Sequence, residues 1–600
     1  MTQPTAVSAG TASALPDTRG QNLYAADPAL AALLKLSVPP EVFACAEPHL
    51  ARLGALAGGR LDALAGAADH NPPVLHHRDR TGIDRQWIEK HPAYEEMERM
   101  AFGDYGLAAM SHRAGVFGWP APLPPAVKYA LSYLFVQAEF GLCCPVSMTD
   151  ALARTLGKFG SAELVARYLP GLTSQDMDVH AQGAMFMTEQ AAGSDVGATA
   201  TVARHVTGGG GNGDGDGDGD HWLLTGDKWF CSNADAQLAL VLARPENSSE
   251  RASSGIASES GSGSASSGNV APKTTGGTRA LSLFLLPRIL PDGTPNHYRI
   301  VRLKDKLGTR SMASGEIKLE GAVAYLVGDA SRGFVQMADM INMSRLSNGM
   351  RAAGLMRRAY FEALHVARNR IAFGKHVIEM PLARRQLLKM LLPTECARSM
   401  TFAAARALEA ADAGDEAARR RIRLLTPLLK FRACRDARRV TGDAMEMRGG
   451  TGYIEEWPDA RLLRDAHLGS IWEGTSNIVA QDVLRAIKRE NALEALDADL
   501  DALDREAGAD EDRFVARERA QAFAREAAQS SDAEHARQAA SGLYYSTAAT
   551  LLAWEGKRIG GVIGAQRAAL SRLVVRHKLT ERDPLKPEAA GEDEALLLTA

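Results

Sequence analysis

The chain has 600 residues, of which 46% are hydrophobic, 24% charged and only 6% aromatic; this is a globular mix that excludes wholesale disorder and collagen and favours helices over an aromatic-rich sandwich. Its 69 Lys plus Arg nearly balance 72 Asp plus Glu, so the average field offers no general attraction to a polyanion, and any nucleic-acid affinity must come from a local patch. The six cysteines, Cys45, Cys143, Cys144, Cys231, Cys396 and Cys434, form no CxxC pair and no zinc or disulfide spacing, which points to a reducing compartment.

Residues 1–20 lack the basic and apolar regions of a signal peptide and read as a disordered start. No run approaches the roughly 20 apolar residues of a membrane span, so a soluble, cytoplasmic protein is expected. From 21 to 182 the pattern is helical: PALAALLKL and GGRLDALAGAA repeat apolar residues at three and four, and SAELVARYLPGL begins with Ser161, which can cap a helix. His76 and His77 have no second ligand cluster, so no metal is expected there, and the vicinal Cys143 and Cys144 read as buried apolar filler.

From 183 to 327, short apolar or alternating runs such as HWLLTGDKWF, LALVLAR and LSLFLLP predict a small β domain. Two inserts interrupt it. The Gly/Asp stretch at 208–220 reads as a flexible hairpin extension, since it matches neither an EF-hand loop nor a nine-residue calcium repeat. The Ser/Gly-rich stretch at 246–278 reads as a disordered loop. Helical patterns return at 328, giving a bundle to 489 and a helical extension over 490–600.

Four segments carry chemistry. In SIWEGTSNIVAQDVLR, Glu473 stands between Trp472 and Gly474 just ahead of a helix predicted to start at Thr475 or Ser476. The helix dipole favours the carboxylate, while burial against Trp472 and a bound ligand would favour the neutral acid, a combination suited to a general base; the plain alternative is an electrostatic cap. The loop MTEQAAGSDVG, residues 187–197, offers the hydroxyls of Thr188 and Ser194 with turn N–H groups. RIAFG at 370–374 and GGTGY at 449–453 complete the set, and each alone reads as an ordinary helix face or turn.

Together, in this order, the four segments resemble the acyl-CoA dehydrogenase flavoproteins. The resemblance implies an α+β, mostly α fold: an N-terminal helical domain, a central β domain and a C-terminal four-helix bundle, with FAD between β domain and bundle. It also implies a Glu that takes the α-proton of an acyl-CoA thioester while the β-hydride passes to the flavin. Carried over by position, Met185, Met187, Thr188 and Ser194 are similar to the family's flavin loop. GDKWFCSN is similar to its GxKxWITN strand, which places Phe230, Cys231 and Ser232 beside the ring. Arg370 and Phe373 match the RxxFG motif that meets the cofactor of an adjacent subunit, and Gly450 matches the GGxGY turn. IWEGTSN matches IYEGTSx, which makes Glu473 the base and Ile471, Trp472, Gly474, Thr475 and Asn477 cofactor neighbours. The same resemblance implies that a flavin ribityl hydroxyl and the Glu473 N–H polarise the thioester carbonyl. Two positions depart from the pattern: Glu446 replaces the Gln usual before GGxGY, and Ser344 stands where some members place the base on an earlier helix.

NLYAADPAL, NPPVLHH, GLCCPVSMTDA, RLKDKLGTRSMASGEI and the Trp before Glu473 resemble the AidB-type, DNA-alkylation-response branch of the family. That resemblance implies a homotetramer with FAD, weak acyl-CoA turnover, and double-stranded DNA bound through an added C-terminal helical domain, with Arg485 as a DNA contact. Residues 486–600 carry 16 basic and 21 acidic side chains, a bulk field that opposes DNA. The basic runs at 557–578 and 419–439 are the local exceptions; a solvated face is the plain reading of both. The expected function is flavin-dependent dehydrogenation of an acyl-CoA; the alternatives are a DNA-binding protective flavoprotein with little turnover and a structural flavoprotein with neither activity.

Overall fold

The computed structural model describes residues 15–207, 220–246, 276–583, 585–586 and 591–598. The segments expected to be disordered, 1–20, 208–220 and 246–278, lie mostly outside these residues. Apolar side chains at helical spacing bury one face each of α1 (Pro28–Lys35), α2 (Pro40–Ala57) and α3 (Arg60–His70). The helical pattern is then interrupted by an antiparallel hairpin, β1 (Val74–Arg78) and β2 (Asp84–Glu89), which the helical reading of 21–182 did not anticipate. His76 and His77 lie on it and are engaged locally: His76 meets Glu89 at 2.7 Å and stacks on Trp87, and His77 meets Gln86 at 2.8 Å.

Helices α4 (Pro92–Glu98), α5 (Pro125–Phe135), α6 (Cys143–Phe159) and α7 (Ala162–Leu172) follow, with Ser161 capping α7 through the Leu164 N–H. Cys143 and Cys144 are buried at the start of α6.

Strands β3 (Gly183–Phe186), β4 (Val202–Val206), β5 (His221–Ser232), β6 (Leu238–Pro245), β7 (Ser282–Pro287), β8 (Tyr298–Leu303) and β9 (Ser314–Leu326) form one sheet. Its order is β3-β6-β4-β5-β9-β7, with β8 on β9, and a β6–β7 pairing closes the path on itself. Alternation along the strands sends Phe186, Leu224, Cys231, Val241, Phe284 and Ile317 into a separate apolar core.

Three long helices, α8 (Gly333–Asn369), α9 (Pro381–Asp412) and α10 (Glu416–Arg448), build the bundle with α11 (Pro458–Leu468) and α12 (Ser476–Glu490). A Cβ at Gly354 would fall 2.9 Å from the Tyr133 carbonyl oxygen, so only Gly allows α8 to lie this close to the end of α5. Between α8 and α9, the short pairs β10 (Ile371–Ala372) and β11 (Lys375–His376) make a hairpin. Its turn residues, Phe373 at φ 51° and Gly374 at φ 77°, are both left-handed, as a two-residue hairpin requires.

The extension comprises α13 (Ala492–Ala507), α14 (Glu511–Gln529), α15 (Ala536–Ile559), α16 (Gly561–Val574) and α17 (Glu592–Leu598). It is docked on the bundle by a buried ion pair from Arg567 of α16 to Glu395 of α9 at 2.8 Å, and Arg567 also meets Glu555 of α15 at 2.5 Å; on the other side, Arg398 of α9 holds Asp27 of the N-terminal region at 2.6 Å.

Candidate active site

Glu473 sits two residues before the N-cap of α12, whose first residue, Ser476, agrees with the predicted start. Its backbone is left-handed at φ 48°, a conformation that costs energy for a residue with a Cβ and persists only when its surroundings enforce it. The surroundings are charged. Arg345 of α8 donates from Nε to the Glu473 carbonyl at 3.0 Å, and Lys430 of α10 donates to the carbonyl of Gly474. Arg345 is held by Asp482 at 2.7 Å, which also accepts from Arg423 at 2.9 Å. Burial pulls the pKa of Arg345 and Lys430 below their usual values, against the attraction of Asp482 for the first and of Cys434 and Glu473 for the second.

The Glu473 carboxylate accepts a hydrogen bond from the Asn348 side-chain amide, and its backbone N–H has no acceptor among the described residues. Trp472 stacks on Phe140 with centroids 6.2 Å apart. The Cys144 thiol, pushed up to about 11 by burial, has Arg351, Glu473, Lys306 and Ser232 as its electrostatic and hydrogen-bonding neighbours, which places the end of β5 beside the Glu473 loop. Ser344 is fully buried and its Oγ has no partner.

On the β side, the Trp229 N–H donates to the Thr188 carbonyl at 2.8 Å, tying the MTEQAAGSDVG loop to β5. A buried pair, Lys228 to Glu189 at 2.7 Å, fixes the same junction; Glu189 also accepts from Ala200 and Thr201. Met185 and Met187 point to the helical core, opposite to Phe186. Phe230, 54% exposed, and the half-buried Ser232 share one face of β5. Cys231 faces the other way, fully buried in the sheet core, so its thiol is not at this site and only its backbone lies along it. Ser194, Ile471, Thr475 and Asn477 are exposed and Gly474 is half-buried.

Arg370 and Gly450 are brought together, since Arg370 Nη1 donates to the Arg448 carbonyl at 3.1 Å. Phe373 projects from the hairpin tip, 96% exposed. Glu446 is exposed on the last turn of α10. This group is remote from Glu473 within one chain: Asn348 and Arg370 are 22 residues apart along α8, about 33 Å at helical rise.

The structure brings Glu473 together with Trp472, Gly474 and Ser232, and adds Arg345, Asn348, Phe140, Glu189 and Lys228, which sequence reasoning missed. The one local signal for the first two was a pair of polar residues three apart in the Met-rich run INMSRLSNGM.

Residues 331–488 match the family model of the acyl-CoA dehydrogenase C-terminal domain, and residues 14–179 match that of the adaptive response protein AidB N-terminal domain. Acyl-CoA dehydrogenase family member 11 of Caenorhabditis elegans is 30% identical over 79% of this chain and 72% of its own length. The putative acyl-CoA dehydrogenase AidB of Escherichia coli is 31% identical over 71% of each chain. The chain belongs to the acyl-CoA dehydrogenase family. The crystal structure of C. elegans ACDH-11 in complex with C11-CoA superimposes with a TM-score of 0.81 at 27% identity, covering 97% of this chain and 95% of that one. As a family member the protein is an FAD-dependent oxidoreductase with the acyl-CoA dehydrogenase fold and an added C-terminal helical region.

The basic runs are largely neutralised within the fold. Among residues 557–578, Arg567 is buried in its carboxylate pairs, Arg572 meets Asp593, Arg558 meets Glu506 at 2.9 Å, and Lys578 lies over the Tyr545 ring. Arg423 and Arg432 of α10 are paired with Asp482 and Asp436. Arg485, with 54% of its side chain exposed, pairs with Asp482 at 3.2 Å. Among the described residues no group of His, Cys, Asp and Glu could hold a metal, and no helix is long and apolar enough to cross a membrane.

Proposed function

We propose that this acyl-CoA dehydrogenase family member oxidises an acyl-CoA thioester to its 2,3-enoyl product, with Glu473 removing the α-proton. The observation that carries the reading is the Glu473 loop: a carboxylate held by the Asn348 amide on a left-handed backbone that Arg345 and Lys430 clamp from two helices. FAD, when bound, supplies a two-electron acceptor for the β-hydride. The residues present fit it. An exposed Phe230 beside Ser232 gives an apolar face with a hydroxyl, and Thr188, Ser194, Thr475 and Asn477 supply polar groups around it.

Removal of an α-proton needs a base aligned with the C–H bond and a donor on the carbonyl oxygen. Glu473 Oε takes the proton, and the Asn348 N–H fixes which way the carboxylate faces. The free Glu473 N–H polarises the carbonyl. Trp472, stacked on Phe140, gives the loop an apolar wall next to the carboxylate. Arg370 at the end of α8 and the GGTGY turn at the end of α10 are too far along their helices to reach the Glu473 loop of their own chain, and the bare Phe373 hairpin suits contact with a neighbouring subunit. This separation supports the reading that Arg370, Phe373 and Gly450 serve the flavin of an adjacent subunit in a homotetramer.

The test is anaerobic titration of the FAD-loaded protein with straight and branched acyl-CoAs, read as loss of visible flavin absorbance. Bleaching by a thioester is expected; a flavin that ignores every thioester would overturn the reading.

A second reading, double-stranded DNA binding, has one observation of its own. Arg435 Nε of α10 is buried without a partner and Arg438 of the same helix is exposed; burial and repulsion from Arg537, Arg432 and Arg438 pull the pKa of Arg435 down, and a phosphate would relieve that repulsion. Salt-sensitive duplex binding that is lost when Arg438 and Arg537 are both replaced by Ala is expected; no duplex binding, or binding indifferent to both changes, removes this reading.

A further inference from the structure

We propose that Arg351 receives an anionic end group on the acyl chain, so that this site takes the monothioester of a short dicarboxylic acid. The inference rests on the dehydrogenase reading above and deepens it. Arg351 lies on α8 three residues after Asn348, the residue that holds the Glu473 carboxylate, and so about 4.5 Å further along the helix axis. It is fully buried. Its guanidinium carbon lies 5.2 Å from the Phe140 ring centroid and 5.3 Å from that of Trp472, the residue next to Glu473. Its charge is felt by Cys143, Cys144 and Cys434, and two of these three, Cys144 and Cys434, also feel Glu473.

What the guanidinium lacks is an anion. Nε makes one long bond, 3.4 Å, to the Ser347 carbonyl; Nη1 and Nη2 have no hydrogen-bond partner. No carboxylate among the described residues lies within ion-pair distance. Glu139, beside Phe140 in the chain, accepts from the Leu142 N–H and the Ser311 hydroxyl, and Glu473 accepts from Asn348. Cation–π contact with two rings offsets part of the desolvation but leaves both terminal nitrogens bare.

A carboxylate accepts from such a fork through two parallel hydrogen bonds, which is the geometry Arg offers and Lys does not. A plain alkyl end would bury the same nitrogens against methylenes, and a site built to hydrogen-bond a polar group rejects the analogue that lacks it. The spacing from Asn348 to Arg351 restricts the chain to a few methylenes between the thioester and the acid. Glutaryl-CoA has the right chemistry, and pentanoyl-CoA is its uncharged counterpart of equal carbon number.

The experiment compares these two thioesters on the FAD-loaded protein, with binding measured by equilibrium dialysis and flavin reduction followed by absorbance in the same samples. The wild type is expected to bind glutaryl-CoA at least about tenfold more tightly, and Arg351→Met to reverse the order. Pentanoyl-CoA bound as tightly as glutaryl-CoA by the wild type, or a ratio unchanged in Arg351→Met, would overturn the inference. An Arg351-dependent preference without bleaching keeps the anion site and removes the dehydrogenase reading; bleaching by both chains without preference does the reverse. Arg351→Lys keeps the charge without the fork, so if the Met variant does not fold, an undiminished preference in the Lys variant overturns the inference instead.

Discussion

Arg351 on α8 and Arg567 on α16 are both at most 1% exposed, yet the fold treats them oppositely. Arg567 enters a network with Glu395, Glu555 and Ser399 that joins the C-terminal extension to the bundle. Arg351 lies beside two aromatic rings with no acid within ion-pair distance among the described residues. A buried charge satisfied from within is a docking device; one left unsatisfied beside a clamped carboxylate points to a ligand from outside. Unpartnered buried polar atoms occur in both regions, Ser344 Oγ and Asn348 Oδ1 near Glu473 and Gln521 Nε2 and the Tyr544 hydroxyl in the extension; what sets Arg351 apart is that both of its terminal nitrogens are bare.

One substitution made at both arginines breaks or sharpens this contrast. Arg567→Met leaves Glu395 and Glu555 buried beside an apolar chain and should lower stability by about 4 kcal/mol in chemical denaturation. Arg351→Met removes an uncompensated charge and should raise stability by about 2 kcal/mol in the same assay. Equal signs at the two positions would erase the distinction.

Asp465 extends the comparison to a buried acid without an ion-pair partner among the described residues. Burial, with repulsion from Glu139 and Asp69, pushes it up to about 7 against the Thr309 N–H that bonds it at 2.6 Å. The folded chain therefore keeps a proton that the unfolded chain releases above its ordinary value of 3.8, and stability falls as pH rises from about 4 to about 7. Asp465→Asn should match the wild type near pH 4 and exceed it by about 1–2 kcal/mol at pH 8, measured by denaturation at both values. At the small end, Arg485→Ala removes a half-exposed pair and should change stability by less than about 0.5 kcal/mol.

The Glu473 loop was legible in the chain because its chemistry is compressed into a few consecutive residues, and α12 starts where Thr475 and Ser476 predict. The strands around Phe230 and Cys231 were legible from alternation, although the inward direction of the Cys231 thiol depends on register with β9. Arg351 was not legible: its burial and its missing anion are properties of what α6, α8 and the Trp472 loop bring together, and a lone Arg in a helix carries no mark of either. The basic runs misled for the same reason. Arg567 has its Glu395 partner 172 residues away, so a run without local acids still becomes neutral in the fold. The β1–β2 hairpin escaped because its alternation is mostly polar, VLHHR against DRQWIE, and lacks the apolar stripe that marks a strand.

The account turns on Glu473. Its most direct test is the rate of anaerobic flavin reduction by a bleaching thioester, compared between the wild type and Glu473→Gln, with the visible spectrum confirming equal FAD content. The amide keeps the size and the Asn348 contact but cannot accept the proton, so the rate should fall by about 10³-fold or more while the thioester still binds. An unchanged rate would show that another group takes the α-proton and that the clamped loop serves a different purpose.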